Sequence, residues 1–374
     1  MSALNLGFIP LTDCAPLIVA QAKGLFADEG LDVALSREAS WATIRDKVAV
    51  GALDGAHMLA PMAIAATLGA GGDPVAMVAP LALNRNGSAI TVSVALAQAM
   101  RQADPTAMAE GPVTARALAK VIARRRAGGA PLLTFAVVFP YSIHNYALRY
   151  WMAQGGVDPD RDIRLVVIPP PRMAEQLAAG VIDGFCVGAP WNAVAVSEGV
   201  GELLIRASDF WRGGPDKVFG MTRSWADANP DALQSALRAL IAAAAWADAP
   251  ANRDELVTLL ARPEYVGVAP EAIAWALTDE IVFHAGDAGF PWRSHAAWFL
   301  SQMVRWGQVD AAADLTPGVE VYRPDLFRKA AASLGIAAPE TDSRVEEALF
   351  DGVAFNPAGL RAYARGFPIG RLRA

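Results

Sequence analysis

The sequence predicts an α/β protein of two lobes with a helical C-terminal extension, and an internal repeat is the main reason. Residues 51–61 read GALDGAHMLAP and residues 180–190 read GVIDGFCVGAP, so glycine, aspartate, alanine and proline recur in step. In each half, a segment containing Phe and Pro precedes a helical stretch, at residues 8–10 and 139–140. Two lobes of related topology enclose a cleft, and ligands of open α/β sheets bind where strands end and helices begin.

Length and composition exclude several classes of protein. The 374 residues suit two domains and an appendage, and the chain is 54% hydrophobic and only 19% charged. No apolar run reaches the roughly 18–20 residues that span a bilayer, so no membrane partner is expected. The net charge of −6 argues against direct nucleic-acid binding, which needs a basic face. The basic run at 124–126 lies at the end of a predicted helix over 114–127. Because cations stabilise a helix C-terminus, this position explains the run better than a binding patch does.

The N-terminal residues predict a cytoplasmic protein. A secretory signal has a basic start, an apolar core and a small-residue cleavage site, whereas residues 1–10 pass directly into a predicted strand. Cys14 follows Thr12 and Asp13, which is not the context of a lipid-modified cysteine. Cys14 and Cys186 both lie in apolar segments and are expected to stay reduced.

The first lobe is predicted to occupy residues 1–88. Its strands are expected at 5–10, 31–36, 55–59 and 75–83, and its helices at 15–23 and 41–50. Gly24 ends the first helix, Ser40 caps the second, and Pro61 opens a third at a position where proline is pre-organised. Residues 84–87 are expected to form the first hinge.

The second lobe is predicted over residues 89–200. Strands are expected at 89–94, 133–138, 163–168 and 185–187, with helices at 143–154 and 172–179 and another opened by Pro190 and Trp191. The chain is expected to cross back near residues 201–206 and to return as a strand at 218–222, within a segment 201–284. Helices are predicted at 229–249, 252–261, 270–283, 295–306 and 324–334, and residues 285–374 are expected to wrap the lobes.

Helix N-termini offer an anion site in this acidic chain. Helices start directly after strands at Pro61 and Pro190, and others start after Ser40 and near Ser142. Their unsatisfied N–H groups and partial positive charge attract anions. Any one of these termini is equally an ordinary cap, so their symmetrical placement in both lobes is what indicates a site.

The histidines and one lysine are the candidate polar groups of this site. His144 lies between a strand and a helix of the second lobe, as either a ligand or a structural group. His57 is expected in the core or the cleft wall, and His284 and His295 lack metal-ligand spacing. Lys217 follows a glycine-rich turn and precedes a strand, which places it either at an interlobe edge or in a solvated turn.

Three of the tryptophans are candidates for the ligand site. Trp41, Trp191 and Trp225 are candidates for the cleft. Trp41 begins a predicted helix, where its indole can meet a planar ligand.

Motifs of dinucleotide, phosphate-loop, serine-hydrolase, metalloprotease and Cys-x-x-Cys sites are absent from the sequence. No nucleophile has an adjacent base, so the sequence does not predict an enzyme.

Several motifs resemble a known family. They are AKGLFADEGLDV at 22–33, ASWATIRDK at 39–47, FPxxxH at 139–144, LRYW at 148–151, CVGxPW at 186–191 and YRPD at 322–325. Together they resemble the nitrate/bicarbonate-binding group of solute-binding proteins, which has the periplasmic-binding type II fold. The resemblance runs over nearly the whole chain.

The resemblance implies a set of ligand-binding residues and no cofactor or metal. The family's tryptophan, histidine, glycine and lysine fall on Trp41, His144, Gly188 and Lys217, and a hinge contribution falls on one of Asn86, Gly87 and Ser88. Bicarbonate-binding relatives carry an acidic residue, associated with calcium, where this chain has Lys217. The implied ligand is therefore nitrate or nitrite.

Without a secretory signal, the chain is similar to cytoplasmic nitrate sensors of the NasS type. The implied partner is then an ANTAR-domain antiterminator (NasT-like) that the sensor holds inactive until nitrate or nitrite arrives. One alternative is the binding component of a nitrate ABC transporter. Another is an enzyme related to the thiamin-pyrimidine synthases, but these need a cysteine-rich iron motif that two isolated cysteines do not supply.

Overall fold

A computed structural model describes residues 2–278 and 281–372 as two α/β lobes, each built on its own sheet. The strands are β1 Ser2–Phe8, β2 Leu31–Arg37, β3 Gly55–Leu59, β4 Met77–Ala82, β5 Ser88–Ser93, β6 Leu133–Val137, β7 Ile163–Val167, β8 Gly184–Gly188, β9 Gly201–Arg206 and β10 Lys217–Thr222. The sheet of lobe one has the order β2-β1-β3-β10-β4, and that of lobe two has the order β7-β6-β8-β5-β9.

Helices cover both sheets. They are α1 Ala15–Ala22, α2 Leu25–Asp28, α3 Trp41–Ala49, α4 Ala60–Thr67, α5 Val94–Ala103, α6 Pro105–Ala109, α7 Arg116–Ala127, α8 Ile143–Gln154, α9 Met173–Ala178, α10 Trp191–Ser197, α11 Ala207–Phe210, α12 Arg223–Ala228, α13 Pro230–Asp248, α14 Arg253–Leu260, α15 Pro270–Thr278, α16 Arg293–Arg305, α17 Thr316–Val319, α18 Pro324–Ser333 and α19 Leu360–Arg365. Within the described ranges, none of them is long and apolar enough to cross a membrane.

The two sheets share one topology, which confirms the predicted fold class. In lobe one, β1 runs parallel to β2 and β3, and β10 returns antiparallel to β3 and β4. In lobe two, β6 runs parallel to β7 and β8, and β5 lies antiparallel to β8 and β9. Each five-stranded sheet therefore has four strands that run in one direction and one antiparallel strand, β10 or β5, that enters after a crossing between lobes.

The repeated segments, 51–61 and 180–190, have the same structural role in both lobes. Asp54 Oδ2 accepts a hydrogen bond from the backbone N–H of Asn5 at 2.7 Å, and Asp183 Oδ2 accepts one from Thr134 N–H at 2.7 Å. Each aspartate thus ties the start of β3 or β8 to the neighbouring parallel strand. The glycine three residues before each aspartate has a left-handed backbone, with φ of 74° and 67°, which favours glycine.

The crossings between lobes differ from the prediction in one place. The first crossing is at residues 84–87, where Asn86 and Gly87 have φ of 58° and 88°. The return was expected at 201–206, but these residues form β9, which pairs with β5 at the edge of lobe two. The chain crosses back only after Arg206. The two crossing segments contact each other, since the N–H of Asn86 donates to the carbonyl of Gly214 at 2.9 Å.

The helix predicted over 270–283 is too long. α15 ends at Thr278, residues 279 and 280 lie outside the described part of the chain, and Val282 forms a bridge with Arg85 at the hinge. The amide N–H of Arg85 donates to the carbonyl of Val282 at 2.8 Å. A third piece of chain therefore lies against the hinge, which local helical periodicity does not reveal.

The C-terminal extension contacts both lobes. α16 packs against α4 of lobe one and α8 of lobe two, and its buried Trp298 belongs to a hydrophobic cluster with members in both lobes. Phe350 N–H donates to the carbonyl of Phe210 at 3.0 Å, and the hydroxyl of Tyr150 donates to Asp351 at 2.8 Å. The extension therefore packs on both lobes, whereas the candidate site lies at the ends of the strands.

Candidate functional site

Lys217 is a buried cation at the boundary between the lobes. It is the first residue of β10, where its register partner on β3 is Leu59, and its side chain has no exposed surface. Its Nζ lies 2.6 Å from Asp13 Oδ2 and 2.6 Å from Asp216 Oδ1. Burial alone would lower the pKa of Lys217, but the two carboxylates outweigh burial and raise it. The alternative of a solvated turn lysine is wrong.

Asp13 connects Lys217 to His57. It lies in a short turn after β1, and its Oδ1 is 2.8 Å from His57 Nε2. The N–H of Ile9 donates to His57 Nδ1 at 3.4 Å, which leaves Nε2 as the protonated nitrogen that faces Asp13. Burial opposes the charge on Asp13, but Lys217 and His57 outweigh it and hold the pKa of Asp13 below its ordinary value. His57 is therefore a fully buried residue with polar neighbours at both ring nitrogens, which fits either of the two predicted places, the core or the cleft wall.

Trp41 covers this cluster from lobe one. It is the first residue of α3, whose N-terminus is capped by the Ser40 hydroxyl accepting from Thr43 N–H at 3.2 Å. The indole packs edge-on against His57 with ring centroids 5.2 Å apart, and Lys217 Nζ lies 5.7 Å from its ring centre. Its buried Nε1 has no hydrogen-bond partner within the described chain. This side chain is a donor left without an acceptor.

His144 approaches from lobe two. It is the second residue of α8, which Ser142 caps, and it is fully buried. Its Nε2 lies 4.0 Å from Asp216 Oδ1, and neither ring nitrogen has a hydrogen-bond partner among the residues described. Burial, and then the charge of Lys217, lower the pKa of His144 well below its ordinary value. The imidazole is consequently neutral near pH 7 and has one N–H to donate.

Gly188 leaves space between these groups. It ends β8, and a Cβ atom added there would lie 3.4 Å from Asp13 Oδ2 and 3.6 Å from His144 Nε2. The missing side chain therefore opens room where the lobe-one charges and the lobe-two imidazole face each other. Ser88 is its register partner on β5, and Ala189 N–H donates to the carbonyl of Gly87 at 2.7 Å.

The predicted site residues lie at one interlobe edge. These are Trp41, Asn86, Gly87, Ser88, His144, Gly188 and Lys217. Trp191 also lies at this boundary, since its indole N–H donates to the carbonyl of Pro10 at 3.0 Å. Trp225 does not, because it sits in α12 and packs on the core of lobe one.

Sequence reasoning missed the two carboxylates. Asp13 and Asp216 are both at strand ends, one after β1 and one before β10, and both are almost fully buried. A carboxylate at a strand end is a weak signal in sequence, and neither position lies in the repeated segments 51–61 and 180–190. In the described ranges, no group of three or more His, Cys, Asp or Glu is placed to hold a metal ion.

The two cysteines are not activated as nucleophiles. The two thiols, Cys14 and Cys186, are buried and unpaired with each other, and burial raises the pKa of both. A raised pKa keeps a thiol protonated and weakly nucleophilic. The donors at this boundary are Lys217 and Trp41 from lobe one and His144 from lobe two.

Known proteins resemble this chain over its whole length. The model of the NMT1-like family matches residues 1–261. The nitrate/nitrite binding protein NrtA of Synechococcus elongatus is 36% identical, with 100% of this chain and 88% of that protein covered. The crystal structure of the periplasmic nitrate-binding protein NrtA from Synechocystis has a TM-score of 0.91 at 32% identity, with 99% of each chain covered.

A further relative is a longer protein. The nitrate import ATP-binding protein NrtC of Synechocystis is 40% identical, with 98% of this chain but 55% of that protein covered. The chain thus spans about half the length of the ATP-binding relatives that it matches. On the extent of these matches, the chain belongs to the NMT1-like family and, within it, to the group of nitrate- and bicarbonate-related solute-binding proteins.

Proposed function

We propose that this chain binds nitrate or nitrite in the cleft between its lobes. The observation that carries the proposal is a set of buried donors at the lobe boundary: Trp41 Nε1 and the His144 imidazole have no hydrogen-bond partner within the described residues, and the Lys217 ammonium lies 5.7 Å from the Trp41 ring. Nitrate and nitrite are small planar anions whose oxygens only accept hydrogen bonds. Unpartnered buried donors are costly in the empty protein, so an acceptor-only ligand satisfies them.

A cation at position 217 supports nitrate or nitrite over bicarbonate. Lys217 is fully buried and charged, and a compact ammonium suits a small monoanion. The resemblance associates an acidic residue and calcium with bicarbonate at the same place. Relatives named as nitrate/nitrite binding proteins support the same choice.

Calorimetric titration of nitrate, nitrite and bicarbonate tests this function. We expect nitrate or nitrite to bind with one site per chain and bicarbonate to bind at least about tenfold more weakly, a difference of about 1.4 kcal/mol. Bicarbonate binding more tightly than both would contradict the ligand assignment, and absence of heat with all three would contradict an anion site.

We also propose that binding is transmitted to a protein partner in the cytoplasm, an ANTAR-domain antiterminator. The net charge of −6 supports a division of labour in which the partner supplies the RNA-binding surface. Binding can drive such a signal only if nitrate prefers one arrangement of the lobes.

Size-exclusion chromatography of the two purified proteins tests the partner. We expect a complex without ligand that dissociates in millimolar nitrate or nitrite. By reciprocity, the antiterminator should lower nitrate affinity by the factor by which nitrate lowers antiterminator affinity. No complex, together with intact nitrate binding, would favour the alternative of a binding component of a nitrate ABC transporter.

A further inference from the structure

The anion site is already negative before an anion enters it. Asp13 and Asp216 each lie 2.6 Å from Lys217 Nζ, and all three side chains are at most 2% exposed. Burial lowers the pKa of both facing histidines, His57 and His144, so neither adds a positive charge near pH 7. Two carboxylates and one ammonium leave one negative charge. A bound nitrate would make it two, in a buried place where like charges repel strongly.

We propose that nitrate enters this site together with one proton, which Asp216 takes up on its unpartnered oxygen, Oδ2. The inference rests on the proposed nitrate-binding function and concerns how the same site accepts the charge. No covalent bond to the anion forms: one proton leaves the solvent and converts the Asp216 carboxylate to a carboxylic acid. The charge of the site with nitrate bound is then the same as without it.

The geometry singles out Asp216 among the groups that face each other here. Its Oδ1 accepts from Lys217, but its buried Oδ2 has no hydrogen-bond partner within the described residues. His144 Nε2 stands 4.0 Å from Asp216 Oδ1, and both nitrogens of that imidazole are equally unpartnered within the described chain. Asp13 differs in having a close polar neighbour at each oxygen: Oδ2 accepts from Lys217, and Oδ1 lies 2.8 Å from His57 Nε2, although that contact does not have hydrogen-bond geometry.

The acid–base properties of the surrounding groups agree with this choice. Burial and the charge of Asp13 raise the pKa of Asp216 to about 6, even though Lys217 opposes them. Asp13 holds its charge to much lower pH, and Lys217 already carries its proton. The thiol of Cys186, which senses both Asp216 and Lys217, has a raised pKa and stays neutral. Asp216 is therefore the carboxylate that gains a proton at the smallest cost.

The proton also changes the hydrogen-bonding character of the site. An ionised carboxylate only accepts hydrogen bonds, as nitrate does, so an ionised Asp216 has no hydrogen bond to offer the anion. A protonated Asp216 can donate one to nitrate. Asp216 is thus a specificity-determining residue for anions that bring no proton of their own.

The test is calorimetry of nitrate binding to the full chain in buffers of different ionisation enthalpy. At pH 7.5 we expect uptake of about one proton per nitrate. The dissociation constant should be flat below about pH 6 and should then rise towards tenfold per pH unit, because the complex holds one proton more than the free protein. Nitrate binding without proton uptake and with a flat pH profile would overturn the inference and leave the proposed function intact.

A variant locates the proton. In Asp216→Asn, which keeps the shape of the side chain, we expect no proton uptake and a pH-independent dissociation constant. Asp32→Asn, at an exposed position of β2, is the matched control and should keep the wild-type slope. A slope that persists in Asp216→Asn would overturn the assignment to Asp216. If that variant fails to fold, the buffer series on the unmodified chain still decides whether a proton is taken up. Absence of any nitrate heat at all pH values would instead contradict the proposed function.

Discussion

The two copies of the repeat fold alike and contribute differently. In β3 and in β8 an aspartate fixes the strand start to its neighbour, through Asp54 and Asp183. At the far ends of the same strands the copies diverge, because Leu59 of lobe one corresponds to Gly188 of lobe two. Leu59 fills the core completely, whereas Gly188 leaves a space beside Asp13 and His144.

The two ends of the repeated strand therefore have different roles, one in folding and one in the proposed binding of nitrate. Lobe one brings the buried charges, with Lys217 between Asp13 and Asp216 and with Trp41 above them. Lobe two brings an uncharged imidazole and a gap. The start of each repeat strand is therefore fixed by a hydrogen bond in both lobes, while the end of the lobe-two strand lines the proposed nitrate site.

Charge reversal in lobe one should have the largest effect. We expect Lys217→Glu to abolish nitrate binding, since it places a third carboxylate beside Asp13 and Asp216. Lys120→Glu, at an exposed lysine of α7 paired with Asp104, is the matched control and should bind nitrate normally. Calorimetry measures both, and binding by Lys217→Glu within a few-fold of the unmodified chain would place the site elsewhere.

The stability of the lysine variant needs its own measurement. Breaking a buried ion pair costs about 3–5 kcal/mol, because the remaining charge is left unpaired. Circular dichroism during urea unfolding shows whether Lys217→Glu is folded under the conditions of titration. Lys217→Met removes the charge without adding a carboxylate and should also lose nitrate binding.

Removal of the lobe-two imidazole should have an intermediate effect. We expect His144→Ala to weaken nitrate binding by about 1.5–3 kcal/mol, the range for a hydrogen bond to a charged group. His284→Ala, which changes a histidine outside the site, should leave affinity unchanged. An unaffected His144→Ala would return this residue to a structural role and would leave lobe one as the whole site.

Filling the space in lobe two should reduce affinity but not stability. A Cβ at Gly188 meets its neighbours at ordinary contact distances, so Gly188→Ala is expected to fold normally. The added methyl group occupies ligand space, and we expect a loss of about 1–3 kcal/mol in nitrate binding. Gly359→Ala, with nothing within 4 Å of the added carbon, is the control for the substitution itself. Equal affinity in both variants would mean that the ligand does not use this space.

The smallest effect on binding should come from the strand starts. We expect Asp54→Ala and Asp183→Ala each to lower the free energy of unfolding by about 1 kcal/mol, the value of one hydrogen bond. Nitrate affinity should stay within about twofold in both. A tenfold loss of affinity in either folded variant would contradict the division between strand starts and strand ends.

Local sequence predicted the topology because both copies carry their own turn and capping signals. The helix over Ile143–Gln154 and the strand over Gly55–Leu59 were predicted with their observed bounds. The features that were mispredicted or missed depend on contacts between residues far apart in the sequence. β9 looks like a crossing until its pairing with β5 is known, and the ion pair of Lys217 with Asp13 joins residues 204 positions apart.

A crystal structure of the chain grown with nitrate tests the central claim most directly. The account predicts one planar anion between the lobes, in contact with Lys217, Trp41 and His144 and seated against Gly188. Nitrate bound elsewhere at saturating concentration, or an empty cleft in crystals of protein that binds nitrate in solution, would contradict it.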